Sequence, residues 1–202
     1  MTYDKDAQMQ CVVDTAIQQL HSRPEDIGYL IYHRARLCDQ LDYVFRVPDI
    51  YRFKSVLVLG ETLPWVSFFL WHRLNIEVTL VDIVGGRNWD HINIVPMDLN
   101  KPEPLHQTWP LIIACDMLEH LDKPEVACNW MHEHLVVWGM VMLSVPYGEP
   151  KNEHDVHHMH YDLDELKVLK WFEEGCWSVL WAERNVYDNR TPVITMCLQK
   201  VK

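Results

Sequence analysis

The chain is poor in positive charge, glycine, long apolar runs and paired cysteines, and each shortage excludes something. Only 18 basic residues stand against 29 acidic ones, for a net charge of −11. A field of that sign repels a phosphate backbone, which disfavours nucleic acid as a partner. Seven glycines supply no GxGxxG run, so the dinucleotide fingerprint of a nicotinamide enzyme is missing. The uninterrupted apolar runs, such as Leu135 to Trp138 and Met140 to Leu143, fall far short of the roughly 20 residues that cross a bilayer. The first residues, MTYDKDAQMQCVVD, are polar and acidic, without the basic stretch and apolar segment of a secretory signal, and they predict a cytoplasmic protein. Six cysteines (Cys11, Cys38, Cys115, Cys128, Cys176 and Cys197) contain no CxxC pair. They read as reduced, buried thiols rather than disulfides or a zinc site.

What is present is enough apolar material for one core. A chain of 202 residues with 49% hydrophobic content predicts a single domain over residues 1–202. Nine tryptophans are many for this length, and such rings serve cores and interfaces alike. Trp65, Trp71, Trp89 and Trp138 are candidates for an interface with a protein partner or a second copy, core packing being the alternative.

Residues 1 to about 50 read as a helical flank. Ser22 and Glu25 form a capping box, and Ile27, Leu30, Ile31, Cys38 and Leu41 follow at helical spacing until Val47, Pro48 and Asp49 break the pattern. From residue 51 the texture becomes short apolar runs alternating with helices. The predicted strands are VLVL (56–59), VTLVD (78–82), INIV (92–95), LIIAC (111–115) and a fifth from Met140 to Val145. A turn at Gly60 to Pro64 leads into a helix over Trp65 to Leu74, and a later helix can be capped by Asp122 and opened by Pro124. Continuous apolar strands separated by helices predict an α/β fold with a mostly parallel sheet covered on both faces. Asp162 with Glu165 predicts the cap of a further helix that Gly175 can end, and WSVLWAE (177–183) and VITMCLQKV (193–201) predict an antiparallel pair closing the sheet.

Four segments at strand ends stand out: VLVLGETLPW (56–65), Asp82, VPMDLN around Asp98, and CDMLEHLDKP (115–124). With the strand series, they make residues 50 to 202 resemble the class I S-adenosylmethionine-dependent methyltransferases, whose Rossmann-like sheet has seven strands with a terminal antiparallel one. The resemblance implies that Gly60 and Glu61 lie in the loop around the methionine part of S-adenosylmethionine. It also implies that Asp82, with Ile83, meets the ribose, that Asp98, with Leu99, lies near the adenine, and that Asp116 and Met117 line the cofactor or substrate side. The residues alone leave other roles open. Asp82 could cap a helix, Asp98 could be a turn residue, and Glu119 and His120 could simply begin the next helix. His120 is the first candidate for a general base, with Glu119 fixing its loop.

The first loop departs from the family pattern: Val58 stands where an acid is expected, and Thr62, Leu63 and Pro64 stand where glycines are. Gly85 and Gly86 could supply some of the missing clearance. A second oddity is NEHDVHHMHYD (152–162), with His154, His157, His158 and His160 in one loop. Such a cluster can bind a transition metal, can be solvated, or can cover the pocket and place His160 or His157 near the methyl acceptor with Tyr161 beneath it; no metal ligands are assigned. The expected function is methyl transfer to a small molecule or protein side chain. The alternative is a methyltransferase-like domain that has lost turnover and serves as a binding or assembly module.

Overall fold

A computed structural model describes residues 34–61, 64–83, 91–151, 157–186 and 192–202. The Ser22–Glu25 capping box, Gly85, Gly86, Trp89 and His154 lie outside the described residues.

Along the chain run helix α1 (Arg34–Arg46), β1 (Ser55–Leu59), α2 (Trp65–Leu74), β2 (Glu77–Asp82), β3 (Ile92–Pro96), β4 (Trp109–Cys115), α3 (Pro124–His134), β5 (Leu135–Pro146), α4 (Glu165–Leu169), β6 (Trp177–Asn185) and β7 (Val193–Lys200). The seven strands form one sheet in the order β3-β2-β1-β4-β5-β7-β6. The first five are parallel, and β7 inserts antiparallel between β5 and the edge strand β6. This is the seven-stranded α/β architecture that the apolar runs predict.

The side-chain alternation of each strand divides the core in two. Val56, Val58, Val78, Leu80, Leu111, Ile113, Met140 and Met142 face α1 and α2. Leu57, Leu59, Val81, Ile112, Ala114, Val141, Leu143 and Val145 face α3 and the segment around α4. Both faces being covered explains why the strands read as unbroken apolar runs. Helix α2 is buried through six consecutive residues, Trp65 to Leu70, because it is wedged between the sheet and α1. Asn75 closes it in the left-handed conformation, its N–H reaching Leu70 O and Trp71 O.

Four local expectations are corrected. Helix α3 opens on Pro124 as predicted, but its cap position is Lys123, with no side-chain cap, and the Asp122 N–H instead reaches Asn100 Oδ1 at 2.8 Å. Helix α4 is capped by Asp164, which accepts the Lys167 N–H at 2.8 Å; Asp162 sits in the left-handed region and pairs with Lys167 Nζ. The helix ends at Leu169, so Gly175, also left-handed, serves the turn into β6. Strand β5 starts five residues earlier than expected, at Leu135, because the chain bulges between Leu135 and Met140 where β4 advances only from Trp109 to Leu111. The bulge pushes Val137 and Trp138 outward, 62% and 60% exposed. Of the candidate interface tryptophans, Trp65 is core, Trp71 packs against the core, and Trp138 is on the surface.

Among the described residues no helix is long and apolar enough to cross a membrane. Cys115, Cys128, Cys176 and Cys197 are free thiols, and burial pushes the Cys197 thiol up to about 12.

Candidate active site

Ligands of open α/β sheets bind beyond the carboxyl ends of the strands, where the winding reverses. Here the reversal falls between β1 and β4, since the chain runs outward from β1 to β3 and then returns to β4 on the other side. The register brings the predicted residues to this rim. Leu59 pairs with Val81, Asp82 with Pro96, and Cys115 with Ser144, so Gly60, Asp82, Ile83, Asp98 and Asp116 all follow directly from strand ends on one edge of the sheet.

The β1 turn is tightly built. Gly60 has φ +67°, and its N–H extends the ladder to Val81 O at 2.8 Å. A Cβ there would overlap Met117 Cγ and stand 2.9 Å from Met117 Cβ, so glycine is required by backbone and packing together. Glu61 does not reach out toward the amino group of a cofactor. It turns beneath α2 and accepts the Val66 N–H, the Ser67 N–H (3.1 Å) and the Ser67 hydroxyl (2.6 Å), capping a helix whose own cap residue is Pro64. Burial pushes its carboxyl up to about 7, against the opposing pull of those donors.

Asp82 is 6% exposed at the end of β2, and the next side chain, Ile83, is 69% exposed. Asp98 uses one oxygen to accept the Asn100 N–H at 2.9 Å, the turn role left open for it above, and remains half-buried. Leu99 and Met117 are core side chains, 5% exposed each, so any contact they offer a ligand is through backbone or the edge of the side chain.

Asp116 is held more firmly than its sequence position reveals. Its backbone is left-handed at φ +49°, with the N–H on Ser144 O at 2.9 Å. The Ser144 hydroxyl donates to Oδ1 at 2.8 Å, and Gln40 Nε2 donates to Oδ2 at 2.9 Å. Gln40 lies on α1 and is 6% exposed, so the N-terminal flank takes part in the site. No motif flagged Gln40, because its role arises from a contact across 76 residues.

Beyond Asp116 the Leu118–His120 turn and the histidine loop are stitched together. Glu119 O accepts the N–H groups of Met159 (2.8 Å) and His160 (3.2 Å), and His120 Nδ1 bonds His157 O at 2.8 Å. Glu119 is a buried carboxylate, 1% exposed, with Oε1 4.0 Å from His120 Nε2. Burial lowers the pKa of His120, which keeps the ring neutral at physiological pH. The expected role of His160 or His157 is not what the geometry gives. His160 donates through Nε2 to Leu121 O at 2.9 Å and lies edge-on to Trp171, and His157 contributes its carbonyl. The ring facing His120 is His158, at 4.7 Å between centroids, with Tyr161 beyond it and Glu149 Oε2 2.7 Å from its Nδ1. Sequence could flag the histidine cluster but not choose among its members.

The sequence matches the family described as Methyltransferase domain over residues 41–188, and the chain belongs to it. No curated protein matches. Among solved structures, the N-methyltransferase NodS from Bradyrhizobium japonicum WM9, in complex with S-adenosyl-L-homocysteine, superposes with a TM-score of 0.66 at 12% identity over 95% of this chain and 99% of that one. An S-adenosylmethionine-dependent methyltransferase from Mesorhizobium loti gives 0.61 at 11% identity, covering 77% and 94%. The [4+2]-cyclase SpnF gives 0.59 at 9% identity, covering 72% and 74%. At such identities the likeness is one of fold.

Proposed function

We propose that the chain is an S-adenosylmethionine-dependent methyltransferase acting on a small molecule or a protein side chain. The observation that carries this reading is the placement of Gly60, Asp82, Ile83, Asp98 and Asp116 on one rim around the β1–β4 reversal. Asp82, fixed at a strand end, is suited to accept both hydroxyls of a ribose, and the exposed Ile83 offers apolar surface to an adenine ring. The half-buried Asp98 keeps a carboxylate near that ring. Held by Asp82, Ile83 and Asp98, S-adenosylmethionine would supply an activated methyl group for in-line transfer to an acceptor lone pair, with the thioether as leaving group. The acceptor side lies at the Leu118–His120 turn and the histidine loop. His157 O can only accept, so His120 Nδ1 carries the proton there and the lone pair of the ring is on Nε2.

Calorimetric titration of the full chain with S-adenosylmethionine and S-adenosyl-L-homocysteine tests the reading. We expect micromolar affinity, weakened by Asp82→Ala by about 1.5–3 kcal/mol, or roughly 10- to 150-fold. The second reading, a binding module without turnover, is favoured by one observation: Met117 packs directly over Gly60, where a cofactor would approach the backbone. Absence of binding to either compound would decide for the module.

A further inference from the structure

We propose that Glu119, His120 and His158 form a site for one divalent first-row transition metal ion of the zinc type. Their ligand atoms all lie within 4.8 Å of one another. Donors around a tetrahedral zinc ion stand about 3.3 Å apart, so the widest pair needs to draw in by up to about 1.5 Å. Two imidazoles with one carboxylate suit zinc, iron, cobalt or nickel rather than magnesium or calcium, which take oxygen donors.

The surroundings of each ligand support the assignment. Metal-binding histidines characteristically give their second ring nitrogen to a carbonyl or carboxylate, which fixes tautomer and orientation. Both histidines do so here: His120 Nδ1 on His157 O at 2.8 Å, and His158 Nδ1 on Glu149 Oε2 at 2.7 Å. These acceptors cannot donate, so in each neutral ring the lone pair is on Nε2. Glu119 sits 1% exposed beside them, with Oε1 4.0 Å from His120 Nε2. The turn and the loop that supply the ligands are already joined through Glu119 O, so the chain sets up the site ahead of the ion. Three protein ligands leave a fourth position open.

The proposal does not depend on methyl transfer, and its test contains no methyl donor, so the two readings fail separately. The full chain, freed of metal by a chelator, is titrated with zinc chloride by calorimetry and with cobalt chloride by visible absorption. One equivalent is expected to bind, with the ligand-field bands of a four- or five-coordinate cobalt ion, undisturbed by excess magnesium. Glu149→Gln should weaken binding about 10- to 100-fold as an outer partner, and His120→Ala and His158→Ala by more than that. His132→Ala, on α3, should change nothing. Circular dichroism checks each fold, and His158→Gln replaces His158→Ala if the smaller residue loosens the loop. Failure to bind one equivalent, or full affinity retained in the His120→Ala, His158→Ala double variant, overturns the proposal, the latter by tracing the ion to other histidines.

Discussion

At Gly60 a single hydrogen atom holds open a space that any other residue would close. Gly60→Ala places a Cβ against Met117 in a left-handed backbone, and we expect a loss of about 1–3 kcal/mol in urea denaturation. Glu61 makes the second prediction at this scale. Burial raises its folded pKa to about 7 from 4.5, so between those values the folded chain holds a proton that the unfolded chain has released. Its stabilising effect is therefore complete below pH 4.5 and is lost as pH rises through about 7. Urea midpoints at pH 5.5 and 8 should show this slope in the wild type and a flatter one in Glu61→Gln. The sequence made Gly60 and Asp82 legible because strand ends confine them. Glu61 and His158 were not, since a carboxylate four residues before the start of a helix can turn either outward or under it, and four histidines in one loop differ only in what they meet.

The elements show the same division. Helix α1 is anchored to the sheet edge by Tyr43, which is 4% exposed and stacks on Trp181 at 5.3 Å between ring centroids. Arg46 spans both Glu183 oxygens at 2.8 and 2.6 Å, but with both side chains more than 40% exposed. Packing should dominate: Tyr43→Ala is expected to cost about 3 kcal/mol and Arg46→Ala less than about 1, measured by chemical denaturation. A pattern of apolar spacing announced β1 to β4 and α2 to within two residues. Caps were harder, because Asp162 and Asp164 both precede Glu165 within reach and only backbone conformation chooses between them. The bulge in β5 also escaped sequence. It depends on Gly139, whose Cβ would stand 2.8 Å from Val136 O.

For the molecule as a whole, order and layering follow from the alternation of strands and helices. The site does not, because it is made by contacts between distant segments such as Gln40 with Asp116. Charge is the property that composition alone determines. With a net −11, self-repulsion opposes the compact state, and raising sodium chloride from about 0.01 to 0.15 M should lift the thermal midpoint as the screening length falls to roughly 8 Å.

The hydrogen bond from Gln40 to Asp116 links the rim to a helix whose Tyr43 lies against the Trp181 indole. That indole is consequently an optical reporter for the site: a ligand that displaces the Asp116 carboxylate is expected to shift α1 and to alter the emission of Trp181. The difference spectrum between the wild type and Trp181→Phe reads the event without a label.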